Sequence, residues 1–197
     1  MELMSQFEDN YFDLAVVDPP YGIDCLKKIN PNTKANWKEY KYTDWDKSIP
    51  NEDYFKGLFR ISKNQIIWGG NYMLENLYSS PCFLIWDKIQ EFKGSHFEIA
   101  WTSFKTPAKA FRMSRVQAYT TGIKIHPTQK PIKLYDWIFQ NYAKEGDKIL
   151  DTHLGSGSIA IASHYAGLHL TACEIDEDYF KDSIERIKIE TSQETLF

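Results

Sequence analysis

Apolar runs rich in β-branched and aromatic residues recur along the chain at 12–18, 65–68, 83–86, 99–104, 148–151 and 168–174, each of strand length. Between several of them the hydrophobic period lengthens to that of a helix. Over 131–143, Leu134, Ile138 and Tyr142 fall on one face behind Pro131, which suits a first helical turn, and Gly146 closes the segment. The stretches 159–166 and 179–189 also read as helices, the first stopped by Gly167. Strands alternating with helices predict an α/β fold with a mostly parallel sheet flanked by helices. At 197 residues the chain suits a single domain over 1–197, and two irregular polar stretches, 27–50 and 112–129, are expected to be loops.

The first apolar run ends in Asp18-Pro19-Pro20-Tyr21. Proline fixes its own backbone and restricts the residue before it, so Asp18 and Pro19 leave the strand extended, presenting a carboxylate and a carbonyl as acceptors. A planar exocyclic amine offers two N–H donors to that pair. Tyr21 is suited to stack on the ring bearing the amine, as side chains do when a base leaves a duplex.

The segment 148–160 reads as a strand, a glycine turn and a helix start, and Glu174 lies nineteen residues beyond Gly155 at the end of the next run. That arrangement lets a nucleotide-like ligand lie over the carboxyl edge of the sheet with its ribose held by the glutamate. Gly155-x-Gly157-x-x-Ala160 also satisfies the dinucleotide fingerprint, so a nicotinamide or flavin site stays open on this motif alone. Asp151 favours a different ligand, because a carboxylate four residues before the first glycine repels a pyrophosphate and attracts an ammonium or sulfonium. S-adenosylmethionine carries both cations and no phosphate. Its carboxylate needs donors, and His126-Pro127-Thr128-Gln129-Lys130-Pro131 offers the Thr128 hydroxyl and the Lys130 ammonium at a helix start.

The formal net charge of −4 argues against a nucleic-acid partner until its distribution is considered. From Ile99 to Tyr135 there is no acidic residue, and Lys105, Lys109, Arg112, Arg115 and Lys124 are expected to meet phosphates, in a loop region near 105–129. Lys34, Lys38 and Lys41, interleaved with Trp37, Tyr40, Tyr42 and Trp45 in the 27–50 loop, form a second candidate DNA contact. A solvated face is the plainer alternative for either segment. Cys25, Cys82 and Cys173 are odd in number and show no metal spacing, so neither a disulfide nor a metal site is expected. With no apolar run approaching the ~20 residues of a membrane span and an acidic first segment, a cytoplasmic protein with no membrane contact is expected.

Together these segments resemble the β-class DNA amino-methyltransferases of phage or bacterial type. Asp18-Pro19-Pro20-Tyr21 resembles the catalytic motif, Asp151-Thr152-His153-Leu154-Gly155-Ser156-Gly157-Ser158 the cofactor loop, and the 126–131 segment the lead-in to the helix beside the cofactor. The resemblance runs from residue 11 to residue 186, and the order of the motifs is similar to the circularly permuted form of the Rossmann-like methyltransferase sheet. It implies catalysis at Asp18, Pro19, Pro20 and Tyr21. S-adenosylmethionine is implied at Asp151, His153, Leu154, Gly155, Ser156, Gly157, Ser158, Glu174 and Ile175, with Thr128 and Lys130. The implied reaction is methylation of the N6 amine of a flipped adenine in double-stranded DNA, in a restriction-modification setting, because aspartate at the first motif position goes more often with adenine. N4-cytosine methylation, methylation of an amine in RNA and an inactive DNA-binding relative are the alternatives.

Two departures from the family pattern carry expectations of their own. Asp151-Thr152-His153 stands where relatives more often show Asp-Pro-Phe. Relatives also place a short strand and an Asp-Cys-like turn ahead of the stretch matching Glu2-Leu3-Met4, so either another segment fills that place or the cofactor pocket is open on one side, and modest affinity is expected. The last five residues, Gln193-Glu194-Thr195-Leu196-Phe197, resemble peptides that dock on bacterial sliding clamps, with Glu194 off-pattern and a frayed tail as the alternative.

Overall fold

The six apolar runs become strands, and a seventh joins them, in a computed structural model that describes residues 2–24, 44–89, 95–118 and 124–192. The strands are β1 (Phe12–Val17), β2 (Ser62–Trp68), β3 (Phe83–Asp87), β4 (Phe97–Thr102), β5 (Lys109–Arg112), β6 (Lys148–Asp151) and β7 (His169–Ala172). They form one sheet in the order β5-β3-β4-β2-β1-β6-β7, parallel throughout except that β4 runs against both its neighbours. The expected mostly parallel sheet is therefore present, with β4 as its one reversed strand.

Strand β1 lies inside the sheet and is covered on both faces, which is why it reads as a continuous apolar run rather than an alternating one. Its Leu14 and Val16 join Ile66, Trp68, Leu84 and Ile149 on one side. Ala15 and Val17 join Ile67, Trp101 and Leu150 on the other. The helices are α1 (Glu2–Ser5), α2 (Glu52–Ile61), α3 (Arg115–Ala118), α4 (Ile132–Tyr142), α5 (Ser158–Tyr165) and α6 (Glu177–Thr191). Helix α2 closes the second face with Tyr54, Phe55, Leu58 and Ile61, and α4 and α5 close the first with Leu134, Ile138, Phe139, Ile159 and Ala162.

Two of the crossovers leave the sheet centre in opposite directions, β1 to β2 through α2 and β6 to β7 through α5. Right-handed crossovers running opposite ways must put their helices on opposite faces, and they do. The consequence is a crevice at the carboxyl ends of β1 and β6, where the strand order switches and ligands settle in open α/β sheets. Asp18 follows β1 there, and the glycine loop follows β6.

Helix α2 is fixed by local chemistry that feeds this crevice. Asn51 caps it, its side-chain oxygen accepting from Tyr54 N at 3.1 Å, and Glu52 and Asp53 occupy the positive first turn. Asn51→Ala is expected to lower stability by about 1 kcal/mol. A lower urea midpoint at an unchanged slope is the result that checks it. None of the described helices is long and apolar enough to cross a membrane.

Candidate active site

Beyond β1 the chain turns sharply through Asp18-Pro19-Pro20-Tyr21, and Asp46 holds the turn. Its Oδ1 accepts the backbone N–H groups of Tyr21 at 2.7 Å and Gly22 at 3.1 Å. The Tyr21 hydroxyl donates to Asp18 Oδ1 at 2.6 Å, and its ring stacks on Tyr72 with centroids 5.3 Å apart and planes 18° from parallel. Burial, with Asp18 and Glu98 nearby, pushes the Tyr21 hydroxyl well above its ordinary range, so it remains a donor.

Asp18 Oδ2 is met by the Lys130 ammonium, which comes from the segment leading into α4 and is almost wholly buried. The same nitrogen lies 3.2 Å from Glu98 Oε2, and Lys88 Nζ lies 2.7 Å from Glu98 Oε1. Two carboxylates and two ammonium groups thus alternate at the base of the crevice. Burial raises the Asp18 carboxyl, while Lys130 holds back the rise. Burial would raise Glu98 too, but Lys130 and Lys88 outweigh it and hold that carboxyl down to about 2.

The glycine loop is held by its own acidic partner. Glu174 accepts Gly155 N at 2.8 Å on one oxygen and Asp176 N at 3.0 Å on the other, while Gly157 N bonds back to Leu154 O at 3.0 Å. Gly157 adopts φ +72° against Ile187, whose side chain a Cβ there would meet at 2.9 Å. Both glycine amides are therefore committed within the protein. A dinucleotide's pyrophosphate needs such amides free, so the geometry disfavours that alternative.

Two cavities open along the crevice, of about 410 Å³ and about 460 Å³, and Asp18, Pro20, Trp45 and Thr128 line both. The smaller is walled by Tyr21, Tyr72, Phe97 and Glu98 and sized for one aromatic base. The larger runs past Tyr179, Leu154, Gly155, Ser156 and Ile175 to Glu174. Among its described lining residues, the carboxylates of Asp18, Glu174 and Asp176 face the single ammonium of Lys130. Its histidines add no charge at neutral pH: burial, then Lys124 and Lys130, lowers His126 to about 3, and burial lowers His153 to about 4. The larger cavity is electronegative, as a cationic nucleoside requires.

Several sequence expectations are relocated by this geometry. Asp151 does not line the cavity; it is buried behind the loop, accepting His153 N at 2.9 Å, and the negative wall is made instead by Asp18, Glu174 and Asp176. Gly157 and Ser158 lie under the loop, with Ser158 Oγ accepting from Arg186 at 2.9 Å. Thr128, Lys130, His153, Leu154, Gly155, Ser156, Glu174 and Ile175 do reach the cavity, although the Lys130 ammonium is directed at Asp18 and Glu98. The basic segment is split. Lys109 begins β5, bonded to Asn141 at the amino edge of the sheet, and Lys105 precedes it. Arg112 ends β5 on the crevice edge against Asp87, Arg115 opens α3, and Lys124 is buried. Lys34, Lys38, Lys41 and the 193–197 peptide lie outside the described residues.

Burial, with Asp18 and Glu174 adding, pushes the Asp151 carboxyl up to about 8. A carboxyl that holds its proton more tightly folded than unfolded stabilises the fold at acid pH and loses that contribution as pH rises through the folded value. Thermal melts of Asp151→Asn are therefore expected to fall less steeply than native ones between about pH 4 and pH 8. Parallel slopes would show that Asp151 is ionised in the fold.

A family model described as DNA methylase, N6_N4_Mtase, matches residues 86–185, half of the chain. The chain belongs to this DNA methylase family. The match takes in the 126–131 segment and the glycine loop of this chain. It is similar to Type II methyltransferase M2.DpnII of Streptococcus pneumoniae, 27% identical over 152 residues, which cover 77% of this chain and 51% of that protein. The chain thus spans about half the length of that curated relative. In fold it is similar to a putative DNA modification methylase from Thermus thermophilus, solved complexed with S-adenosyl-L-methionine, with a TM-score of 0.61 at 15% identity over 98% of this chain and 93% of that one. PvuII DNA methyltransferase (cytosine-N4-specific) aligns with a TM-score of 0.61 at 13% identity over 96% of this chain and 87% of that one. The Rossmann-like sheet is shared with these solved structures, and in this chain the strand leading into Asp18 comes first and the glycine-loop strand late.

Proposed function

We propose that the protein transfers a methyl group from S-adenosylmethionine to the exocyclic N6 amine of an adenine flipped out of double-stranded DNA. The observation that carries the reading is Asp18 on the shared wall of two adjoining cavities, one lined by Tyr21, Tyr72 and Phe97, the other by Glu174 and Asp176. Bound S-adenosylmethionine would supply an electrophilic methyl on a sulfonium. Glu174 is suited to its ribose, the Thr128 hydroxyl to its carboxylate, and the electronegative wall to its cations.

The chain's own work is placement. An exocyclic amine is a weak nucleophile because its lone pair is delocalised into the ring. Acceptors at Asp18 and the Pro19 carbonyl favour the pyramidal form whose lone pair points toward the larger cavity. Stacking on the Tyr21 and Tyr72 wall offsets part of the few kcal/mol needed to unstack the base, at ~1–3 kcal/mol per stacked base. Arg112 and Arg115, on the crevice side of the sheet, are the described basic residues proposed to meet the duplex backbone.

Adenine is favoured by the aspartate at the first motif position, and N4-cytosine is the second outcome. Incubation of labelled S-adenosylmethionine with unmodified duplex DNA, followed by nucleoside mass spectrometry, decides between them. N6-methyladenine is expected. N4-methylcytosine would move the assignment to cytosine, and retained DNA binding with no methylated nucleoside would sink the transfer reading.

A further inference from the structure

Both carboxylate oxygens of Asp18 already hold a donor before any amine arrives. Its Oδ1 takes the Tyr21 hydroxyl and its Oδ2 takes the Lys130 ammonium. An oxygen paired with a buried cation is a poor acceptor for an incoming N–H, because the cation already holds the charge that would polarise the amine. Lys130 has only one other carboxylate within reach among the described residues, Glu98, whose Oε2 lies 3.2 Å from the same nitrogen. Glu98 is itself anchored at its other oxygen by Lys88.

We infer that Glu98 is a positioning residue for the transfer step, taking the Lys130 ammonium over from Asp18 as the target amine engages Asp18. The inference rests on the methyl-transfer reading of the same site. The groups around Lys130 and Asp18 are Tyr21 from the turn after β1, Tyr54 on α2, Lys88 after β3, Glu98 on β4, His126 ahead of α4, Tyr135 on α4 and Asp151 on β6. Lys130 sits between two acceptors in one buried cluster, so the shift exchanges one charge-assisted bond for another rather than leaving an ammonium unpaired. A plain structural role for Glu98, neutralising Lys88, would need no second cation at its free oxygen.

Single-turnover methyl transfer across a pH series separates the two roles. Glu98→Gln leaves Asp18 as the only carboxylate paired with Lys130 among the described residues. The rate at neutral pH is expected to fall at least tenfold with the KM for S-adenosylmethionine unchanged, and the acid limb to move to lower pH, because a carboxylate near Asp18 has been removed and its cation kept. Lys130→Met is expected to move the acid limb the opposite way, since Asp18 then loses its cation. In the double variant the Glu98→Gln loss should vanish, because there is no ammonium left to relocate. If Glu98→Gln melts below assay temperature, Glu98→Asp carries the test: its shorter carboxylate keeps the charge but not both ammonium contacts, and about a tenfold loss is expected. A native rate in the variant that folds, or losses that multiply in the double variant, would overturn the inference. Native protein inactive on every duplex would overturn the methyl-transfer reading with it, whereas an active native protein and an unimpaired variant reject the role of Glu98 alone.

Discussion

Asp18→Ala is expected to lower the single-turnover rate of methyl transfer by about 10²- to 10⁴-fold, with S-adenosylmethionine binding within a few-fold of native. The size follows from what the carboxylate does. In the proposed reaction it is the acceptor on the wall shared by the two cavities, and without it the amine's lone pair would stay in the ring and the methyl would have no aimed nucleophile. Binding should survive because Glu174 and Asp176 remain on the electronegative wall, and Glu174 continues to hold the glycine loop through Gly155 N. The fold should survive because the Lys130 ammonium keeps Glu98. Calorimetry with S-adenosylmethionine alongside the transfer assay makes the separation visible. A variant losing binding and rate in equal measure would assign Asp18 to the cofactor site; an active variant would remove it from the chemistry.

Legibility in the sequence followed solvent exposure and chain distance. Strand β1 was readable because both its faces are buried, and α4 because Leu134 and Ile138 repeat on its core face. Strand β5, Lys109–Arg112, was hidden in the basic segment, since an edge strand with no buried residue has no apolar signature. Helix α2 lies outside the expected elements although its signal is present: Asn51, then two acids, then Tyr54, Phe55, Leu58 and Ile61 at helical spacing. The reversal of β4 has no trace in hydrophobic pattern, which records faces but not direction. In the site, the ends of β1 and β6 were legible because proline and glycine mark them. Glu98 and Tyr179 were not, because each reaches the crevice from an element whose neighbours are set only by topology. Lys130 shows the limit most clearly: its residue type suited an anionic ligand, yet the fold brings it across 112 residues to Asp18.

Gly69→Ala is expected to abolish detectable transfer while costing about 2–4 kcal/mol of stability, from a left-handed backbone and a forced repacking together. Gly69 follows β2 with φ +67°, and a Cβ there would lie 2.1 Å from the Tyr21 ring. The ring has few ways to yield. Its hydroxyl is tied to Asp18, its face to Tyr72, and its backbone to Asp46. Moving it therefore withdraws the hydroxyl from Asp18 and disturbs the aromatic wall proposed to receive the base. The larger cavity is lined by neither Gly69 nor Tyr21, so cofactor affinity should stay near native where the variant is folded. Urea unfolding gives the stability loss, and transfer is then measured under conditions where both proteins are folded. Loss of activity beyond the unfolded fraction places the damage at the Tyr21–Asp18 contact; activity that tracks the folded fraction would show that Tyr21 tolerates displacement and that its stacking is not needed for the chemistry.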